Sequence, residues 1–298
     1  MLQSLPVPRA GAVVSPALAV AAAALLLAWP ALYNGYPLVF GDTASHLDTI
    51  DPRKADWGRP VFYALFILPL HGRISLWPVV FVQALIVAHL AYVMLRVVCG
   101  AVRPGSYLAL AAVLAVGSTL PWFASFIMPD IFTGVVVLGL YLLGFAFNRL
   151  GPVERVYFFF LTAGAIACHQ SHLALAAGLV VVIVLLRLLQ MPPIGARTRT
   201  IALVAGPLVL ATAAHLSANT FAGHGMTLSP GTSMVLLARM IGDGTAVRYL
   251  RETCPQRHYV LCDYVDDLPE DGDAFLWDKR GIFARAGGPA AQGAQPPQ

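Results

Sequence analysis

The sequence predicts an all-α polytopic membrane protein with about seven transmembrane helices, and three observations predict it. Of 298 residues, 58% are hydrophobic and 11% charged, with a mean hydropathy of +0.72. A soluble domain carries roughly a quarter charged residues, more than twice as many. Apolar runs recur from Ala10 to Leu216, several of them long enough to cross a hydrocarbon core of about 30 Å. Between these runs the arginines alternate, falling in every second turn. The formal charge of +4 follows from arginines at the ends of apolar runs, so the expected partner is a lipid bilayer and not a nucleic acid.

Taken in order, Ala10–Tyr33 is an Ala/Leu/Val run that reads as a retained first span. It exceeds a signal-peptide core of about 7–15 residues, and no small-residue cleavage pattern follows it. Residues 34–73 form a polar external loop. Within it Val61–His71 is apolar but too short to cross, and reads as an interfacial helix. Leu76–Val98 is the second span, Tyr107–Ile127 the third and Ile131–Phe147 the fourth, the last two separated by Met128-Pro129-Asp130. Val156–Cys168 and Leu173–Leu189 are the fifth and sixth, separated by His169-Gln170-Ser171-His172, and Ile201–Leu216 is the seventh. The membrane domain is thus 1–216. From 217 to 285 the composition becomes soluble-like and acidic, and 286–298 is a Gly/Ala/Pro/Gln tail that predicts disorder.

Topology follows from Arg9 and from Arg96, Arg103, Arg149, Arg155, Arg187, Arg197 and Arg199, which occupy the N-terminus and the turns after spans two, four and six. The turns after spans three and five hold neither Lys nor Arg. The positive-inside rule then sets the N-terminus in the cytoplasm, and the first loop, Asp130, the His169–His172 turn and the C-terminal segment outside, as in a bacterial-type inner or plasma membrane. Arg53, Lys54, Arg59 and Arg73 are exceptions on the outer side. They accompany Asp42, Asp48, Asp51 and Asp56 and read as a paired or functional set. An outer location allows Cys254 and Cys262 to pair; Cys99 and Cys168, in or beside apolar runs, read as packing residues.

Candidate chemistry sits at the outer ends of the spans. Asp42 directly follows an apolar stretch, where a carboxylate beside a low-dielectric wall is able to take a proton from a hydroxyl. Asp130 is either the N-cap of the fourth span or a functional acid. His169 and His172 share a helix face at i, i+3. They read as turn caps, a metal centre lacking a third local ligand, with phosphate recognition as the alternative. Arg59 before Pro60 is suited equally to bidentate phosphate binding and to snorkelling. Phe275 and Trp277 are core residues or sugar-stacking ones.

Three stretches resemble the integral-membrane GT-C type glycosyltransferases: YNGYPLVFGDTASH after the first span, GRPVFYALFILPLH at the interface, and the MPDIF break. The HQSH turn and the outer C-terminal segment are similar in placement. The resemblance covers about residues 10–220. It implies transfer of a sugar from a polyprenyl-phosphate donor to an acceptor hydroxyl on a glycan, lipid or protein, with inversion and no metal cofactor. It makes Asp42 the candidate base and Asp130 a second acidic group, with Arg59, His46, His169 and His172 as substrate-binding candidates. Family members have more spans, so CPQRHYVLCDYVDDLPEDGDAFLWD is expected to lead into further helices, and the chain reads as a shortened member. The alternatives are an inactive truncated member, or a transporter or lipid-handling assembly subunit with Asp130 and the histidines along a polar path. A transporter commonly shows an inverted repeat, and none is visible here.

Overall fold

The computed structural model describes residues 15–48, 58–190 and 194–286. Among these, regular structure is helical, and the sole β-type contact is an isolated parallel bridge between Leu38 and Phe126. The helices are α1 (Pro16–Leu27), α2 (Trp29–Asn34), α3 (Thr43–Asp48), α4 (Val61–His71), α5 (Trp77–Cys99), α6 (Pro104–Gly117), α7 (Leu120–Ser125), α8 (Phe132–Phe145), α9 (Pro152–Ala167), α10 (Gln170–Leu189), α11 (Ile194–Phe221), α12 (Thr232–Gly242), α13 (Thr245–Thr253), α14 (Gly272–Trp277) and α15 (Ile282–Arg285). Arg53, Lys54, Asp51 and Asp56 of the first loop, Arg9 and the 287–298 tail lie outside the described residues.

Three segments are long and apolar enough to cross a membrane: Trp77–Cys99, Gln170–Leu189 and Thr198–Phe221. The chain is therefore a membrane protein by the length and composition of these helices. The other apolar runs fold as shorter pieces. The first expected span divides at Ala28 into α1 and α2, and the third divides at Ser118-Thr119 into α6 and α7. In both, a proline at the start of the second piece (Pro30, Pro121) lacks the N–H that would continue the preceding ladder. Proline also opens α1, α5, α6 and α9, where its missing N–H is one that no helix would use.

The chain divides into two units. The first comprises the described residues within Met1–Ile50 and Val61–Thr212, the second those within Asp51–Pro60 and Ala213–Gln298. In the first, α1 packs against α5 and α6 through Ala19, Ala23, Ala24 and Leu27. Helix α8 packs on α9 and α10, and the crossing with α9 depends on a glycine. A β-carbon at Gly139 would stand 2.2 Å from the Thr162 hydroxyl oxygen. Small residues at such contacts let helix backbones approach within membranes, where dispersion and close fit replace the hydrophobic drive. At the end of α5, the Arg96 guanidinium meets Glu154 at 2.6 Å, and Glu154 also accepts from the Gly151 N–H at the start of α9. Cys168 is buried; Cys99 is exposed at the end of α5.

The second unit has its own apolar core of Met234, Ala238, Ile241, Ala246, Phe275, Ile282 and Phe283. Helices α12 and α14 meet closely because Gly272 lies against the Ala238 carbonyl, where a β-carbon would come within 2.7 Å. A disulfide joins Cys254, just past α13, to Cys262.

Candidate functional site

The loop after α2 and the break before α8 are built together. Leu38 donates its N–H to the Ser125 carbonyl at 3.0 Å, and its own carbonyl accepts from Ile127 at 2.9 Å. The Thr43 hydroxyl is buried. It accepts from the Phe40 N–H at 2.9 Å and donates to the Ile127 carbonyl at 3.1 Å. The backbone at 125–127 is free for this because α7 ends at Ser125 and the chain is extended at Phe126 and Met128, before a 3-10 turn at Pro129–Ile131 leads into α8. Ser125 adds a third tie, its hydroxyl accepting from the Ala31 N–H of α2 at 3.3 Å. The half-buried Asp42 carboxylate therefore stands one residue from a hydroxyl bonded to Ile127, and Ile127 stands three before Asp130.

Polar groups continue inward from this joint. His46, on α3 and buried, sets its ring edge against Tyr63 of α4, centroids 4.9 Å apart. The Tyr63 hydroxyl donates to Gln83 Oε1 of α5 at 2.7 Å. Gln83 Nε2 in turn donates to the Phe126 carbonyl at 2.9 Å, returning to the strand-like segment where the path began. Tyr63 and Gln83 are fully buried, so each bond fills a polar group that would otherwise be costly to hide. Sequence reasoning missed Thr43, Tyr63 and Gln83. The one available signal was a polar residue, Gln83, in the middle of an otherwise apolar span.

Asp130 is exposed, and no side-chain cap bond holds α8 or the turn before it. Its carboxylate has no hydrogen bond or ion pair among the described residues, so the capping alternative does not account for it. Its charge is within electrostatic range of Tyr63 and of His172.

The two histidines divide in role. His169 is the N-cap of α10, its Nδ1 accepting from the Ser171 N–H at 3.2 Å. His172 is buried within the fold. Its Nδ1 lies 2.8 Å from the Ala165 carbonyl, which can only accept, so the proton is on Nδ1 and Nε2 accepts from the Thr133 hydroxyl at 2.9 Å. Both nitrogens of His172 are thus taken by α8 and α9. The rings of His169 and His172 are 5.3 Å apart. Among the described residues no group of three or more His, Cys, Asp or Glu side chains is gathered as a metal ion would need.

Arg59 belongs to the second unit, where its guanidinium stands over the Trp277 ring at 5.9 Å. Trp277 is half exposed, while Phe275 is a core residue of that unit. The Cys254–Cys262 bond staples the 3-10 turn at Val260–Tyr264 to the end of α13.

The class these features define is an all-helical membrane protein with a polar joint between its first loop and the break before α8. Comparison with family models, with curated proteins and with solved structures finds no match for this chain.

Proposed function

We propose that the chain is a membrane glycosyltransferase of the GT-C type, moving a sugar from a polyprenyl-phosphate donor to an acceptor hydroxyl on the extracytoplasmic face. The observation that carries the reading is the hydrogen-bonded joint between the Asp42 segment and the Met128-Pro129-Asp130 break. It brings two stretches that resemble the family's outer acidic motifs into one framework, although 84 residues separate Thr43 from Ile127. In this reading α1–α2, α6–α7, α8 and α9 complete seven crossings together with the three long helices, and α4 lies at the interface. The N-terminus is cytoplasmic and the segment 217–285 lies outside, in a bacterial-type inner or plasma membrane. The disulfide supports that side, because such bonds persist in oxidising compartments.

Asp42 acts as general base. It takes the proton of the acceptor hydroxyl as that oxygen forms a bond to the sugar C1. The bond from C1 to the phosphate oxygen breaks with its electron pair left on the phosphate, and configuration at C1 inverts. Asp130, exposed near Tyr63, orients the sugar or acceptor through its hydroxyl groups. The test is transfer of labelled sugar from polyprenyl phosphate by the full chain and by Asp42→Asn.

A further inference from the structure

Helices α1, α5 and α9 line a groove of about 490 Å³ within the first unit, with Ala17, Val82, His89, Tyr92 and Tyr157 in its walls. Helix α5 is one of the three segments long and apolar enough to cross a membrane, and His89 lies near its midpoint. The imidazole is therefore deep in the hydrocarbon layer, where a polar group is costly without a partner. The ring stacks on Phe158 and meets Tyr157, with centroids 5.8 and 5.4 Å away. Neither of its nitrogens has a hydrogen-bond partner among the described residues, and neither do the phenol oxygens of Tyr92 and Tyr157. None of these atoms is buried, so three polar groups stand open on an otherwise apolar groove.

The walls say what fits. No Asp, Glu, Lys or Arg lines the groove, and a charge placed there would lose its hydration without a counter-ion. Arg96 follows Tyr92 by one turn of α5 and is already paired with Glu154. It lies about 10 Å along the helix from His89, too far to hold a charged head beside the imidazole. The ligand is thus neutral. Along α5 the lining runs about 15 Å, with the polar rings toward one end and aliphatic side chains up to Val82 at the other. That is the outline of a small polar head on a hydrocarbon tail. Three rings at the polar end favour a flat head, because aromatic faces and edges pack well on planar partners. The imidazole and the phenols offer it hydrogen-bond donors. A helix roughly 15 Å long and 10 Å across would need about 1,200 Å³, more than twice the space. Small-molecule sites span about 300–1,000 Å³.

We propose that this groove binds a neutral lipid of the quinone class. The ring sits among His89, Tyr92 and Tyr157, its oxygens accepting hydrogen bonds from these side chains, and the tail runs along α5 toward Val82. The site shares no residue with the Asp42 joint and stands whether or not the chain transfers a sugar.

The test uses the purified full chain in phosphatidylcholine nanodiscs, labelled with a photoreactive azidoquinone carrying a decyl tail and competed with decylubiquinone. Labelled residues are mapped by mass spectrometry. His89→Phe keeps a ring against Phe158 and removes the hydrogen-bonding nitrogens. Ala17→Trp, at an exposed position, fills the groove without disturbing the core. The wild type should label saturably in α1, α5 or α9. His89→Phe should raise the half-competing decylubiquinone concentration about tenfold, the scale of one lost hydrogen bond in an apolar site. Ala17→Trp should abolish the labelling. Labelling that does not saturate, that maps elsewhere, or that both variants leave unchanged overturns the proposal. Dimers in analytical ultracentrifugation that Ala17→Trp disperses, with no saturable labelling, would give the groove to a second copy of the chain and overturn it equally.

Discussion

The Thr43 hydroxyl donates to the Ile127 carbonyl at 3.1 Å, closing the loop after α2 onto the segment that leads to Asp130. Replacing Thr43 by Val keeps the shape and removes both of its bonds, leaving the Phe40 N–H and the Ile127 carbonyl unpaired. The expected cost is about 1–3 kcal/mol. Hydrogen exchange should show it as faster exchange at Leu38 and Ile127, whose paired amides mark the joint, with little change in α10.

At Gly139 a methyl group has no room against Thr162. Gly139→Ala should lower stability by about 1–3 kcal/mol through overpacking. The double variant with Thr162→Gly should recover much of the loss, because it removes both the oxygen at 2.2 Å and the Cβ at 3.3 Å. Thermal unfolding of the three variants measures the coupling; strict additivity would refute the steric account.

In the second unit the disulfide closes a short loop, with a sequence separation of 8. Chain-entropy arguments value such a closure at about 2–3 kcal/mol. The Cys254→Ser/Cys262→Ser variant should lose that much in the unfolding of this unit. Reductant should lower the wild type toward the variant and leave the variant unchanged.

His71 predicts a pH dependence. Its folded-state pKa lies below the unfolded value near 6.5 because burial, and then Arg73, disfavour its charged form. The unfolded chain therefore binds the proton first as pH falls. The stability due to the neutral ring is fully present above about pH 6.5 and is lost as pH drops through the folded pKa. Tyr36, Asp48 and Arg73 line the same pocket as His71. Melting temperature against pH should fall below about 6.5 in the wild type, and His71→Gln should flatten that part of the curve.

Much of the helical layout was legible, and the reasons are local. Helix α4 is bounded by Pro60 and Gly72, a fixed φ before it and a left-handed glycine after it, so its limits could be read directly. The break at Asp130 was visible in Pro129. The divisions at Ala28 and Ser118 were not, even though Pro30 and Pro121 follow them, because proline is an ambiguous signal here. Pro69 and Pro207 sit inside α4 and α11 without ending either. At the candidate site, the sequence pointed to charged residues and not to what holds them. The tie from Thr43 to Ile127 and the path from Tyr63 through Gln83 to Phe126 join positions 84, 20 and 43 residues apart. No local pattern encodes such pairings. His71 likewise looked like the end of an apolar helix until the turn after it placed Arg73 on one ring nitrogen and buried the other.

The central claim is that Asp42 removes the acceptor proton during sugar transfer. Its most direct test is the initial rate of label transfer from polyprenyl-phosphate sugar to acceptor by membranes carrying the wild-type chain or Asp42→Asn, matched for inserted protein. The account predicts a loss of about 100-fold or more with insertion and melting temperature unchanged, the usual scale for a missing general base. Transfer by Asp42→Asn at the wild-type rate, or no transfer by a folded wild-type chain with any polyprenyl-phosphate sugar, would contradict it.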